Sequence, residues 1–80
     1  MPSRRTPLPD WVHAERRALG HRIAVRRQEL GLSQDQLADR IGMERRSVQR
    51  YEGGRRDPGY GELLLIARAL EIPLRHLVAE

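Results

Sequence analysis

The chain has 80 residues, room for one small domain, and a core of that size needs staples or very regular helix packing. It contains no cysteine, which excludes disulfides and thiolate zinc sites, and its 39% apolar, 32% charged and 4% aromatic residues suit a compact helical domain better than a sandwich or barrel. Net charge is +4 and all 15 basic residues are arginine, so an anionic partner is the first to consider.

Residues 1–10 carry Pro2, Pro7 and Pro9 without apolar periodicity and are expected to form a flexible tail ahead of a domain spanning 11–80. Asp10 suits the N-cap of a first helix running from Trp11 to Leu30, in which Gly20 costs about 1 kcal/mol relative to Ala. Leu19, Ile23 and Leu30 give it an apolar stripe; Arg16, Arg17, Arg22 and Arg26 fall mostly off that stripe, and Gly31 stops it. Ser33 and Gln36 form a capping box, with Leu32 and Leu37 spaced as a hydrophobic staple, so a second helix starts at Ser33 and ends at Gly42. A third helix fits Arg45 to Glu52 before Gly53 and Gly54. Beyond the turn at Asp57, Pro58 and Gly59, the residues Leu63, Leu64, Ile66, Ala67 and Leu70 mark a fourth, which Pro73 ends before opening a short fifth with Leu74, Leu77 and Val78. No apolar run approaches the ~18 residues of a membrane span, and the N-terminus lacks the apolar stretch of a signal peptide, so the chain reads as cytoplasmic, away from membranes.

The spacing between the second and third helices is the informative part. Ala38 lets two helices approach, Gly42 suits a tight left-handed corner, and Val48 fills the wedge between them. At ~100° per residue, Ser47, Val48 and Tyr51 fall on one side of the third helix, and Arg45, Arg46, Gln49 and Arg50 on the other. That outward side consists of long hydrogen-bond donors.

Several motifs occur in order: Gly31-Leu32-Ser33-Gln34, Leu37-Ala38, Ile41-Gly42, Ser47-Val48, Glu52-Gly53-Gly54 with Pro58, Ile66 to Leu70, and Pro73 to Leu77. On these residues the stretch from about Leu19 to Leu77 resembles the Cro/CI (lambda repressor-like, XRE-type) helix-turn-helix family. The resemblance implies an all-α, five-helix DNA-binding domain and a sequence-specific transcriptional regulator whose third helix enters the major groove of double-stranded DNA, as a homodimer on a palindromic operator. It makes Arg45, Arg46, Gln49 and Arg50 the base-contacting residues, Gln34 a phosphate contact, and Arg27 with Glu52 a structural pair.

The residue chemistry agrees independently. A guanidinium matches O6 and N7 of guanine and a glutamine amide matches N6 and N7 of adenine, so three arginines and one glutamine predict a guanine-containing half-site. Ser33 and Gln34 at the start of the second helix, with Arg55 and Arg56 in the glycine-rich loop, are the expected phosphate contacts.

Two positions depart from the family pattern. Glu44 stands at the N-cap of the third helix and either caps weakly or reads a cytosine amino group. Gly59 and Gly61 flank Tyr60, leaving the start of the fourth helix frayed or shifted, with Tyr60 at the core edge. Trp11 is expected to pack on the first helix or its neighbours, and Arg4 and Arg5 read as disordered rather than as a minor-groove arm. His13, His21 and His76 have no zinc-site spacing. No metal, cofactor or enzymatic role is expected, because no nucleophile–base pair or phosphate loop is discernible. Ile72, Leu74, Leu77 and Val78 are the apolar residues expected at a twofold contact. Two alternative assignments keep the fold and change the biological role, to an antitoxin masking a toxin or to a controller protein of a restriction-modification system.

Overall fold

The structure, a computed structural model, describes residues 6–78. Five helices follow one another: α1 Asp10–Glu29, α2 Gln34–Ile41, α3 Arg45–Glu52, α4 Tyr60–Ala69 and α5 Arg75–Val78; no strand occurs among the described residues. Helix α1 lies against α3 and α5, while α2 packs on α3 and α4. Among the described residues no helix is long and apolar enough to cross a membrane.

Local chemistry sets most of the boundaries. Helix α1 begins one residue earlier than expected: Pro9 is the N-cap, and Asp10 is already helical, where its charge still suits the positive end of the helix dipole. At the other end Gly31 takes φ 70°, and the amides of Gly31 and Leu32 donate to the carbonyls of Gln28 and Arg27. The Ser33 capping box is complete: the Gln36 amide donates to Ser33 Oγ at 3.0 Å and the Ser33 amide to Gln36 Oε1 at 2.8 Å. The fourth helix is neither frayed nor shifted. Its missing cap is supplied by Glu62, whose carboxylate accepts the Gly59 amide at 2.6 Å. Helix α4 ends ahead of Pro73, as expected, but closes through Glu71, a non-glycine residue at φ 59°.

The core joins Ile23, Leu37, Ala38, Ile41, Val48, Tyr51, Ile66, Ala67, Leu70 and Leu77. Each fully buried leucine or isoleucine contributes about 1.5–3 kcal/mol relative to an exposed one. Burial raises the pKa of the Tyr51 hydroxyl above its ordinary value, and that hydroxyl meets Met43 Sδ at 3.8 Å. Three expectations about apolar residues need correction. Tyr60 is 70% and Trp11 69% exposed, so neither packs as a core-edge or interhelical residue. Leu77 is wholly buried, because α5 turns it onto the core, and it cannot line a twofold contact; Leu64, Leu65 and Val78 are the exposed aliphatic side chains of α4 and α5.

Gly20 marks a close passage between two helices. A Cβ there would meet the Tyr51 carbonyl oxygen and come within 2.6 Å of the Glu52 carbonyl oxygen, so α1 crosses the last turn of α3 backbone to backbone. What reads as a helix defect is the residue that lets these two helices touch.

Candidate nucleic-acid interface

The corner between α2 and α3 is built as the spacing anticipates. Gly42 has φ 68° and ψ 33°, the Met43 amide donates to the Ala38 carbonyl at 2.9 Å, and Ala38 and Val48 are both buried in the angle. A left-handed residue reverses the chain at small steric cost only if it lacks a Cβ.

With Val48 and Tyr51 anchored inward, the opposite side of α3 faces solvent. Arg45, Arg46, Gln49 and Arg50 are all exposed, and none of their side chains makes a hydrogen bond or ion pair with another described residue. Arg46, Gln49, Arg50 and Arg55 line one shallow, polar concavity, which joins the outward face of the helix to the loop behind it. Arg56 is exposed with its guanidinium 5.7 Å from the Tyr51 ring centroid, a cation–π contact that steadies the loop. Glu44 is exposed and makes no side-chain cap, its carbonyl alone accepting the Ser47 amide at 2.9 Å. The amides of the first turn of α3 are therefore left without a side-chain acceptor.

Behind this face lies a charged tie among three elements. Arg27 grips Glu52 through two hydrogen bonds of 2.7 and 3.0 Å, and its Nη1 donates to the Leu32 carbonyl at 2.8 Å. Gln34 Nε2 donates to the same Glu52 carboxylate at 3.0 Å. Glu52 thus fastens the end of α3 to α1 and to the first residue of α2. The Arg27 and Glu52 side chains are only 12% and 8% exposed. Hydrogen bonding to Glu52 holds the Arg27 guanidinium above its ordinary pKa, against the burial that opposes its charge. Gln34 is half-buried and held by Glu52, and Ser33 is exposed with its Oγ accepting the cap bond.

Several arginines that fall off the apolar stripe of α1 do structural work. Arg22 Nη1 donates to the Leu77 carbonyl at 3.0 Å and Arg26 Nε to the Leu70 carbonyl at 2.9 Å; from α2, Arg40 Nη1 reaches the Ala69 carbonyl at 3.0 Å. These side chains cap the carbonyl ends of α4 and α5. Arg16 pairs with Asp57 in the loop after α3 through bonds of 2.5 and 3.0 Å. None of these contacts has a local sequence signal, because the partners lie 29 to 55 residues apart. Arg4 and Arg5 lie outside the described residues.

A family model described as helix-turn-helix matches residues 23–77. An uncharacterized transcriptional regulator in the ATPase CF(0) region of Rhodospirillum rubrum is 35% identical over 69 residues, covering 86% of this chain and 64% of that protein. The transcriptional repressor RstR of the cryptic phage CTXphi of Vibrio cholerae is 39% identical over 56 residues, 70% of this chain and 50% of the repressor. Among solved structures, the restriction-modification controller protein C.AhdI from Aeromonas hydrophila superposes with a TM-score of 0.78 at 36% identity, covering 80% of this chain and 97% of that one. The chain spans about half to two thirds of the length of curated relatives that it matches, 64% of one and 48% of another.

Proposed function

The chain belongs to the Cro/CI-type helix-turn-helix family, and on that premise we propose that it is a DNA-binding transcriptional regulator that lays α3 in the major groove of double-stranded DNA. One observation carries the reading: Arg45, Arg46, Gln49 and Arg50 stand exposed and unpartnered among the described residues, on a helix whose other side is locked into the core. Their donor geometry matches guanine and adenine edges, while Arg55 and Arg56, with Ser33 and Gln34, face the phosphates and set register. Gln34 keeps one amide hydrogen for a phosphate oxygen while the other holds Glu52. This is recognition by binding, in the cytoplasm, with no catalytic step.

Two copies on a palindrome would place half-sites one turn apart, ~34–36 Å. Leu64 and Leu65 on α4 and Val78 on α5 are, with Trp11, Val25 and Tyr60, the large apolar side chains exposed among the described residues and open to a second copy. The likeness to a restriction-modification controller, of which the chain covers 97%, favours a regulator of that kind as the more specific reading.

Selection of bound sequences from random DNA, run at 50 and 200 mM salt, tests the proposal. The expected result is a guanine-containing motif whose affinity falls roughly 10³ to 10⁵ between the two salts, if ~6 to 10 phosphates are contacted. Absence of enrichment, or an affinity indifferent to salt, overturns it.

A further inference from the structure

The loop from Gly53 to Gly59 carries both phosphate-facing arginines, and next to them it carries a carboxylate, Asp57. A carboxylate at that place is an internal rival of the DNA backbone: it offers Arg55 and Arg56 the same pair of anionic oxygens that a phosphate offers. The structure shows what holds it away. Arg16, reaching from α1, binds both Asp57 oxygens, at 2.5 and 3.0 Å. The Arg16 side chain is 22% exposed and that of Asp57 57%. Exposed pairs commonly add little to stability, but the two parallel bonds and the largely covered Arg16 side chain let this one contribute to folding as well, and the melting measurements below separate that contribution from any effect on binding.

The rest of the loop is fastened independently. Gly54, at φ 69°, packs so tightly on α1 that a Cβ would come within 2.9 Å of Arg17 Cγ and 3.1 Å of Arg17 Cα. Pro58 is buried, Arg56 lies over Tyr51, and Glu62 holds the Gly59 amide. Backbone position therefore does not depend on the ion pair. Charge does: with Arg16 in place, Asp57 is neutralised from the α1 side and the two loop arginines keep their donors for an outside anion.

We propose that Arg16 is a positioning residue for DNA binding, which sequesters the Asp57 carboxylate and so keeps Arg55 and Arg56 available to phosphate. The proposal rests on the DNA-binding reading above. Residue 16 precedes the stretch matched by the family model, so the device belongs to the part of α1 that extends beyond it.

The test compares wild type, Arg16→Gln, Asp57→Asn and the double variant for affinity to one selected duplex over a salt series, with thermal melting of each. Freed Asp57 captures one loop arginine, so Arg16→Gln is expected to bind about three- to tenfold more weakly, with a salt slope shallower by about one. Asp57→Asn binds at least as tightly as wild type, and the double variant regains wild-type affinity, because the rival has been removed. A double variant as weak as Arg16→Gln overturns the proposal, since Arg16 then acts on DNA directly. So does an Arg16→Gln protein that binds like wild type, or one that no longer folds, which makes the pair structural. Failure of the wild type to bind any duplex is a separate result: it removes the DNA reading, and this inference with it.

Discussion

In α1, the guanidinium groups of Arg16, Arg22, Arg26 and Arg27 each end on an oxygen of the protein itself, a carboxylate or the last carbonyls of another helix. In α3 and the loop behind it, Arg45, Arg46, Arg50 and Arg55 end in solvent with no hydrogen-bonding partner among the described residues. The side chain and its charge are identical in the two regions; the difference is geometric. Helix α1 packs against α3 and α5 with the carbonyl ends of α4 and α5 within reach of its arginines, whereas the outward side of α3 meets no other element among the described residues. Net charge therefore says little about function here; Arg17, Arg68 and Arg75 are also exposed and unengaged among the described residues, and what sets α3 apart is that several unengaged donors share one helix face.

The comparison is broken most severely by freeing an engaged arginine. Glu52→Ala strands Arg27 in a nearly buried position and releases Gln34, and is expected to lower stability by about 3–5 kcal/mol, read by chemical denaturation. An effect under about 1 kcal/mol would mean that the tie among α1, α2 and α3 is ornamental. Gly20→Ala forces α1 away from the carbonyls of Tyr51 and Glu52 and is expected to cost about 1–3 kcal/mol, although alanine is the better helix former. A stabilised Gly20→Ala protein would show that the two backbones are not pressed together.

Removing an unengaged arginine sharpens the contrast. Arg46→Ala is expected to leave thermal stability unchanged while costing about 1–3 kcal/mol of DNA affinity and relaxing preference at one base pair. Arg55→Ala is expected to weaken all sequences about equally, with a salt slope shallower by about one. Identical profiles for the two across a binding-site library would erase the division between reading and positioning.

Much of this arrangement is legible in the sequence because it is written in neighbours. The Ser33–Gln36 box, the left-handed glycines at 31, 42 and 54, and the inward pair Val48 and Tyr51 all depend on residues within one or two turns. What stays hidden depends on residues far apart in the chain. Gly20 reads as a flaw until Tyr51 is placed beside it, and Arg22 and Arg26 read only as lying off the apolar stripe until α4 and α5 end against them. Leu77 and Leu64 carry the same hydropathy, yet the first is buried and the second exposed, a difference fixed only by how α5 folds back on α1. The positive φ of Glu71 is hidden as well: α4 closes there through the Glu71 and Ile72 amides, which donate to the Arg68 and Ala67 carbonyls, in a left-handed turn made without a glycine.

The contrast between engaged and unengaged arginines can be read in one titration. In isotopically labelled protein, the side-chain Nε–H signals of individual arginines are followed by NMR as a selected duplex is added. Arg45, Arg46, Arg50 and Arg55 are expected to shift while Arg22, Arg26 and Arg27 stay where they are. Shifts centred on Arg22 and Arg26, with the α3 signals unmoved, would contradict this expectation.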